Sequence, residues 1–494
     1  VPNDHGIGRA SSWRPTTADR VGATVGQVEH AELQDQDALR RHGIDEMHWQ
    51  HRLAELAPRH GVPGASLGIM RTTDSGVQVA QAACGVLNVA TGVDVTPDSL
   101  FQLGSITKVW TTSLVMQLVD QGLVSLDAPV HEVLPELRLA DPRATALVTV
   151  RHLLTHTSGI DGDIFTDTGR GDDALQRFVQ ELGSAAQLHR PGSAWSYSNA
   201  GFCLAGRLVE VLTGGSFERA LRERLLEPLG LSHTVMLPED ALLHRAAVGH
   251  FGRGAEGAKP SAVWGLPRAI GPAGLICADT LDVLTWALAV APLQGGTTTV
   301  LSADSIDAMA AEQVVLPEWL GEPDSWGLGW ARSNWSGHRV VGHSGQTIGQ
   351  AARLQVSADH GLAVVLLTNG GNTADLCGDL YDEIFDALAD IARPQPPPPG
   401  IAAHRYAAWI GTYERASLRI DIGLRDGLLT LTQTEDSPFV GANEATTSLE
   451  MRQVGDDRFV VREPGTSSYR PVLFADLDGA PALYFALRAF PKVA

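Results

Sequence analysis

The rhythm of apolar and polar positions changes several times along the chain. The spacing Met47, Leu53, Leu56 predicts an amphipathic helix opening the folded part, whereas the polar residues before it show no periodicity. Ala65 to Met70 and Leu362 to Leu367 are short apolar runs that predict buried strands, and Ile106 to Gln121 and Phe202 to Leu212 carry apolar residues at helical spacing. No run of alternating β and α units appears, so an α+β body is expected rather than a doubly wound parallel sheet. Arg393 to Gly400 is a polyproline-type spacer, stiff and unable to join a helix or a central strand. Beyond it, Leu418 to Ile422, Leu428 to Thr432, Arg458 to Val461 and Ala482 to Phe485 are short, β-rich and separated by turn residues, which predicts a small antiparallel barrel or sandwich. The expected organisation is an extension over 1–45, a body over 46–393, a proline-rich linker over 394–403 and a β domain over 404–494.

Composition narrows the function classes. With 37 basic and 57 acidic residues the net charge is −20, a surface that repels phosphate backbones and anionic lipid, so no nucleic-acid partner is expected. No apolar run approaches the roughly 20 residues needed to span a bilayer, so no membrane partner is expected either. Residues 1–45 lack the charged start and continuous apolar segment of a secretory signal, which makes the cytoplasm the expected location. Cys84, Cys203, Cys277 and Cys377 lie far apart without C-x-x-C spacing and read as buried free thiols.

Only three lysines occur, and Lys108 lies in an apolar stretch, Phe101-Gln102-Leu103-Gly104-Ser105-Ile106-Thr107-Lys108. Ser105 follows a glycine at a helix start, and three positions are close to one turn, so Ser105 and Lys108 share a face within hydrogen-bond reach. A serine hydroxyl needs a neighbouring base, and burial together with the positive helix N-terminus pushes a lysine toward its neutral form. On these residues alone, an N-cap serine beside a snorkelling lysine fits as well. Tyr197-Ser198-Asn199 sits in a turn before the second predicted helix, and His343-Ser344-Gly345 lies on a small-residue strand. Singly, a packed phenol and a structural histidine would explain Tyr197 and His343.

In this order the three segments resemble the serine β-lactamase and penicillin-binding-protein superfamily, in its class C-like branch, whose motifs are S-x-x-K, Y-x-N and K-x-G or H-x-G. Val148 to Gly159, Gly271 to Leu275 and Trp326 to Trp330 resemble further stretches of that branch, over residues 48 to 390. The resemblance implies an antiparallel sheet flanked by helices with a helical subdomain, no metal and no cofactor. His152 and His156 then read as structural, since no H-E-x-x-H pattern accompanies them. It implies that Ser105 is the acyl-accepting nucleophile, Lys108 its hydrogen-bonded partner, and Tyr197 a general base and acid whose pKa is depressed if Lys108 and His343 offer it positive charge or donors. Asn199 would hold a substrate amide or carbonyl, Ser344 and Gly345 would lie on the edge that receives the substrate backbone, and the N–H groups of Ser105 and Gln346 would form the oxyanion hole. His343 stands where true β-lactamases carry lysine, and a neutral histidine anchors a ring carboxylate less firmly.

The β domain, the His-Ser-Gly motif and the missing export signal are together similar to the stand-alone penicillin-binding-protein-type thioesterases of nonribosomal peptide assembly lines. That likeness implies a lipocalin-like C-terminal barrel and a peptidyl thioester substrate, carried on a carrier protein of a peptide synthetase and released as a head-to-tail macrocycle. It also implies that Arg488 reaches over the site. Trp195, Trp264, Trp326 and Trp330 fall in or near segments expected to line the cleft, Trp264 and Trp326 being taken as substrate contacts, while core packing would explain any one of the four equally well. An esterase or D-aminopeptidase, a β-lactamase and a catalytically silent peptide sensor remain the alternatives; the oligomeric state is open.

Overall fold

A computed structural model describes residues 43–252, 257–293, 300–318, 323–395, 408–435 and 446–493. Residues 1–42 of the expected extension, and the expected linker from Pro396 on, lie outside the described residues. Helix α1 (Glu46–Arg59) starts on Asp45, whose carboxylate accepts from His48 N, and buries Trp49, Leu53, Leu56 and Ala57. Met47, expected on that face, is 81% exposed. It stands two residues from Trp49, about 200° around the helix, so both cannot face the core.

Strands β1 (Gly64–Thr73), β2 (Gly76–Asn88), β3 (Val93–Asp94), β4 (Val314–Val315), β5 (Ser325–Trp326), β6 (Ala331–Trp335), β7 (His338–Gln346), β8 (Ala351–Ser357) and β9 (Leu362–Thr368) form one antiparallel nine-stranded sheet. Its order is β3-β2-β1-β9-β8-β7-β6-β5-β4. β9 is buried throughout because both faces of the sheet are covered. Leu362, Val364 and Leu366 pack with α1 and with α5 (Thr373–Ala389), whereas Ala363, Val365 and Leu367 join the larger core that includes α4 (Thr280–Val290). That larger core continues into a helical region built on α2 (Thr107–Asp120) and α3 (Asn199–Thr213). The four cysteines are free, three of them buried and Cys84 half-buried. Among the described residues no helix is long and apolar enough to cross a membrane.

The C-terminal residues form two further antiparallel sheets. One holds β10 (Gly411–Arg415), β11 (Leu418–Arg425), β12 (Leu428–Glu435) and β13 (Thr446–Glu450); the other holds β14 (Arg452–Gln453), β15 (Arg458–Val461), β16 (Arg470–Leu477), β17 (Ala480–Phe485) and β18 (Arg488–Pro491). They share one core, including Tyr413, Ile420, Leu431, Phe459, Phe474 and Phe490. The antiparallel strands were expected, but a closed lipocalin-like barrel is not what the described strands form. β10 and β18 are linked through a single bridge, Tyr413 to Lys492, just past Pro491, which has no N–H to extend a ladder.

This unit is packed onto the body. Leu477, Ala482, Tyr484 and Ala489 share a buried cluster with Trp195, Tyr197, Leu316 and Trp326. At a second point Asp375, near the start of α5, accepts from Ser467 N at 2.7 Å, from Ser468 N at 3.1 Å and from the Ser468 hydroxyl. Asp375→Ala strips these three donors of the C-terminal unit, and the Asn372 amide as well, of their acceptor and is expected to lower stability by about 1–3 kcal/mol in chemical denaturation. An unchanged midpoint would show that this contact contributes nothing to docking.

Candidate active site

Ser105 lies on a 3₁₀ turn, Gly104–Ile106, that runs directly into α2. Strand β7 passes so close to this turn that two glycines are required. A Cβ on Gly104, which has φ of 52°, would lie 2.6 Å from Gln346 N, and one on Gly345 would lie 1.9 Å from Leu103 O and 2.8 Å from Ser105 N. The approach brings the backbone of β7 at Gly345 and Gln346 against the turn that carries Ser105. Pairing between β7 and β6 ends at Gly342 with Ala331, so among the described strands His343 to Gln346 pair with β8 alone and leave an edge on the other side. Ser344 on this edge is exposed and Gly345 is buried.

Lys108 is fully buried one turn after Ser105. Its Nζ lies 3.0 Å from Ser105 Oγ, 2.7 Å from Asn199 Oδ1 and 2.7 Å from Ala273 O. Burial pulls its pKa down to about 7, and the nearby Arg488 charge adds to the effect against Asp163. A neutral amine has two N–H groups and one lone pair. The amide and peptide oxygens can only accept, so they take the two N–H groups, and the lone pair is left for the Ser105 proton.

Asn199 begins α3, with Ser198 as N-cap accepting from Gly201 N at 3.1 Å. His156 supports this segment, its Nδ1 accepting from Ser198 N at 3.0 Å and its ring stacking on Tyr197 at 4.2 Å. His152 has a comparable backbone task, its Nδ1 accepting from Thr149 N at 3.2 Å. The Tyr197 ring lies 4.8 Å from Lys108 Nζ and 5.1 Å from the Arg488 guanidinium. Burial nevertheless pushes the phenol's pKa up, against the pull of Ser105 and Arg488. The expected depression is thus reversed. Ser105 is near enough to lower the phenol's pKa, yet Oη completes no hydrogen bond of normal geometry.

His343 offers no positive charge. Its Nδ1 lies 2.6 Å from Ser344 O, and a carbonyl only accepts, so Nδ1 carries the proton and Nε2 is a buried acceptor without a partner. Burial, helped by Lys108, lowers its pKa to about 3. Trp326 is buried behind Tyr197 and His343, with ring centroids 6.1 Å and 5.6 Å away, so it forms the wall beneath the site and not a substrate surface. Trp195 packs beside it at 5.3 Å, whereas Trp330 belongs to the core with Trp286. Trp264 donates its indole N–H to Ala247 O and, among the described residues, is not part of the aromatic cluster around Tyr197.

Arg488 does reach the site. The turn before it, Ala486-Leu487, has φ of 50° and 66°, the left-handed pair of a two-residue hairpin, and Leu487 O accepts from Tyr197 N at 3.0 Å. The Arg488 guanidinium donates to both oxygens of Asp163, at 2.5 and 3.3 Å, and Asp163 Oδ1 accepts from Asn199 Nδ2 at 2.8 Å. Asp161 beside it accepts from the fully buried Arg415 at 2.8 Å. Asp161, Asp163 and Arg415 were missed in the sequence; the one signal was the pair of acids in Asp161-Gly162-Asp163 after the Thr-His-Thr-Ser-Gly stretch.

If the crossing of β7 over the serine turn sets the reactive geometry, Gly345→Ala must force the strands apart. Labelling of Ser105 by a small activated ester, read by mass spectrometry, is expected to slow about 100-fold. Labelling at the wild-type rate would show that the approach is not required.

The comparisons with known proteins agree with this geometry. Residues 41–389 match the family model described as Beta-lactamase. The chain is 42% identical over 382 residues to Penicillin-binding protein 4 of Amycolatopsis lactamdurans, covering 75% of this chain and 98% of that protein. It is 27% identical to Unguisins hydrolase ungD' of Aspergillus campestris, over 68% of this chain and 64% of that one. Among solved structures, SurE matches with a TM-score of 0.71 and 28% identity over 91% of this chain and 99% of its own, and SurE with D-Leu matches with a TM-score of 0.68. The chain belongs to the beta-lactamase family, as a serine hydrolase-type enzyme of that superfamily with additional C-terminal antiparallel sheets.

Proposed function

We propose that this protein takes a peptidyl group from a thioester onto Ser105 and releases it by attack of the peptide's own amine, closing a head-to-tail ring. The observation that carries the reading is the buried Lys108 amine, 3.0 Å from Ser105 Oγ and 2.7 Å from each of two oxygens that can only accept, Asn199 Oδ1 and Ala273 O. Nζ takes the Ser105 proton as Oγ attacks the thioester carbon, and the N–H groups of Ser105 and Gln346 receive the oxyanion. The C–S bond breaks, and the thiolate leaves with a proton supplied by Tyr197, which the Lys108 ammonium replaces. A phenol with a raised pKa suits this role of acid and relay and not that of a tyrosinate base. In the second half the amine attacks the ester, the C–O bond breaks, and the amine's proton returns to Ser105 Oγ.

The neutral His343 supports the choice of substrate, since an uncharged imidazole gives a ring carboxylate no anchor while its bare Nε2 accepts from an amine or amide N–H. The likeness to SurE extends over both units, and its structure with D-Leu supports a substrate carrying a D-residue. The thioester's carrier protein enters as part of the same reading. Hydrolysis by the same acyl-enzyme, as an esterase or D-aminopeptidase would perform it, is the second reading, favoured by the likeness to Unguisins hydrolase ungD'.

Given a peptidyl thioester surrogate, the wild type is expected to show an acyl mass on Ser105 and to release mainly cyclic peptide, while Ser105→Ala shows neither. Mainly linear acid would establish the hydrolytic reading, and an adduct on Ser105→Ala would remove Ser105 from the mechanism. The acylation rate is also expected to follow the Lys108 amine. Protonation below about 7 removes the lone pair, so the rate falls about tenfold per pH unit on the acid side and levels off above. Stopped-flow acylation between pH 5 and 9 reads this limb, and a flat profile would exclude Lys108 as the base.

A further inference from the structure

We propose that Asp163 is a positioning residue that links Arg488 of the C-terminal unit to the base: it fixes the amide of Asn199 so that Oδ1 faces Lys108, and Arg488 holds it in that task. The proposal rests on the reading that Lys108 takes the Ser105 proton. An ionised carboxylate can only accept, so an amide beside it must present its N–H groups and turn its oxygen away. Asn199 does this, with Nδ2 2.8 Å from Asp163 Oδ1 and Oδ1 2.7 Å from Lys108 Nζ. The opposite orientation would set oxygen against oxygen on one side and N–H against N–H on the other.

Asp163 is itself nearly buried, at 8% exposure, and a buried carboxylate needs compensation. Burial raises its pKa, but Arg488 and then Arg415 outweigh it and hold the group ionised at about 2. Arg488 binds both oxygens from β18, Arg415 approaches within 3.5 Å from β10, and the Ser417 hydroxyl donates to the Asp163 carbonyl at 3.2 Å. Every one of these groups comes from the C-terminal unit, while the amide and the amine belong to the body. The carboxylate is therefore the point at which docking of the unit is converted into orientation of the catalytic amide.

The charges around Lys108 make the link measurable. Asp163 favours the protonated amine and Arg488 disfavours it, so the two members of the pair act in opposite directions at Nζ. The other titratable groups nearby are Cys203 and Tyr197, both raised by burial, and His156 and His343, both lowered by it, all of which stay uncharged. Around Asp163 stand Arg415, Asp161 and the half-buried Glu435.

The test is stopped-flow acylation of the full chain by p-nitrophenyl acetate between pH 5 and 9, a substrate too small to need recognition by the C-terminal unit. Arg488→Met leaves the Asp163 charge with Arg415 as its one remaining cation among the described residues and is expected to move the acid limb to higher pH, whereas Asp163→Asn removes the anion and is expected to move it to lower pH, each on the order of one unit. The double variant is expected to return near wild type. Asp163→Ala, which also frees the Asn199 amide, is expected to lower the plateau about 100-fold. Limbs that coincide with wild type in Arg488→Met and Asp163→Asn, even at reduced rate, would overturn the proposal, and if Asp163→Asn does not fold, Arg488→Met decides alone. Absence of any acyl mass on wild-type Ser105 would instead refute the underlying reading of Lys108 and Ser105.

Discussion

A lysine amine with no access to water and no carboxylate in contact among the described residues is the constraint on which this site is built. A charged ammonium so placed costs several kcal/mol, whereas a neutral amine needs two acceptors and one donor. The chain supplies all three from distant places, Asn199 from the start of α3, Ala273 from a short helical turn, and Ser105 from the turn before α2. The acceptors are themselves fixed to the lysine's own helix. Thr111 Oγ1 donates to Pro272 O at 2.6 Å, and Thr107 Oγ1 accepts from Ile276 N at 3.2 Å, so the segment carrying Ala273 cannot drift from Nζ. Packing of the helical region thus sets the protonation state of one nitrogen.

The C-terminal sheets complete this environment. Tyr197 owes its burial to a cluster shared with Leu477, Ala482, Tyr484 and Ala489, and its backbone N–H is held by the hairpin tip at Leu487. A phenol left open to water would keep a pKa near 10, and the leaving group would meet a wetter site. The strain of two non-glycine residues at positive φ in that tip is set against the Tyr197 to Leu487 bond, the Ala489 to Ser196 bond at 3.1 Å and the Arg488 to Asp163 ion pair. Interactions converging on one turn are what keep such a conformation populated.

What was legible in the sequence follows from whether the cause was local. Ser105 and Lys108 are one helical turn apart, and Asn199 begins its helix behind the Ser198 cap; each could be read within a dozen positions. The α+β body was legible for the same reason, since Leu362 to Leu367 is apolar at every position and β9 is covered on both faces. Asp163 meets Arg488 across 325 positions and Asp161 meets Arg415 across 254, and no spacing rule reaches that far. The direction of the Tyr197 shift was missed because it depends on burial by the C-terminal unit and on His343 being neutral, both tertiary facts. Trp326 was placed in the cleft from its neighbours in sequence, but a motif's vicinity does not tell which side of it a ring will occupy.

Under the proposed reading, the base that accepts the serine proton must later deal with the incoming amine, and the two have matched proton affinities. A peptide α-amine has a pKa near 7.7 to 8.0, and the buried Lys108 sits at about 7. A proton can pass between them at little cost, so an amine that arrives charged can be made nucleophilic inside the site. Water gains less from such a base, because its own pKa lies far above that of Nζ. His343 extends the same preference, since its partnerless Nε2 is an acceptor that an amine N–H satisfies without introducing a charge into the pocket. A lysine at that position would place a second cation near Lys108 and pull its pKa lower still, which the neutral imidazole avoids. The exchange of lysine for histidine in the third motif therefore does more than weaken a carboxylate anchor. It leaves Lys108 poised between its two forms near neutral pH, where one base can serve both the serine and the amine.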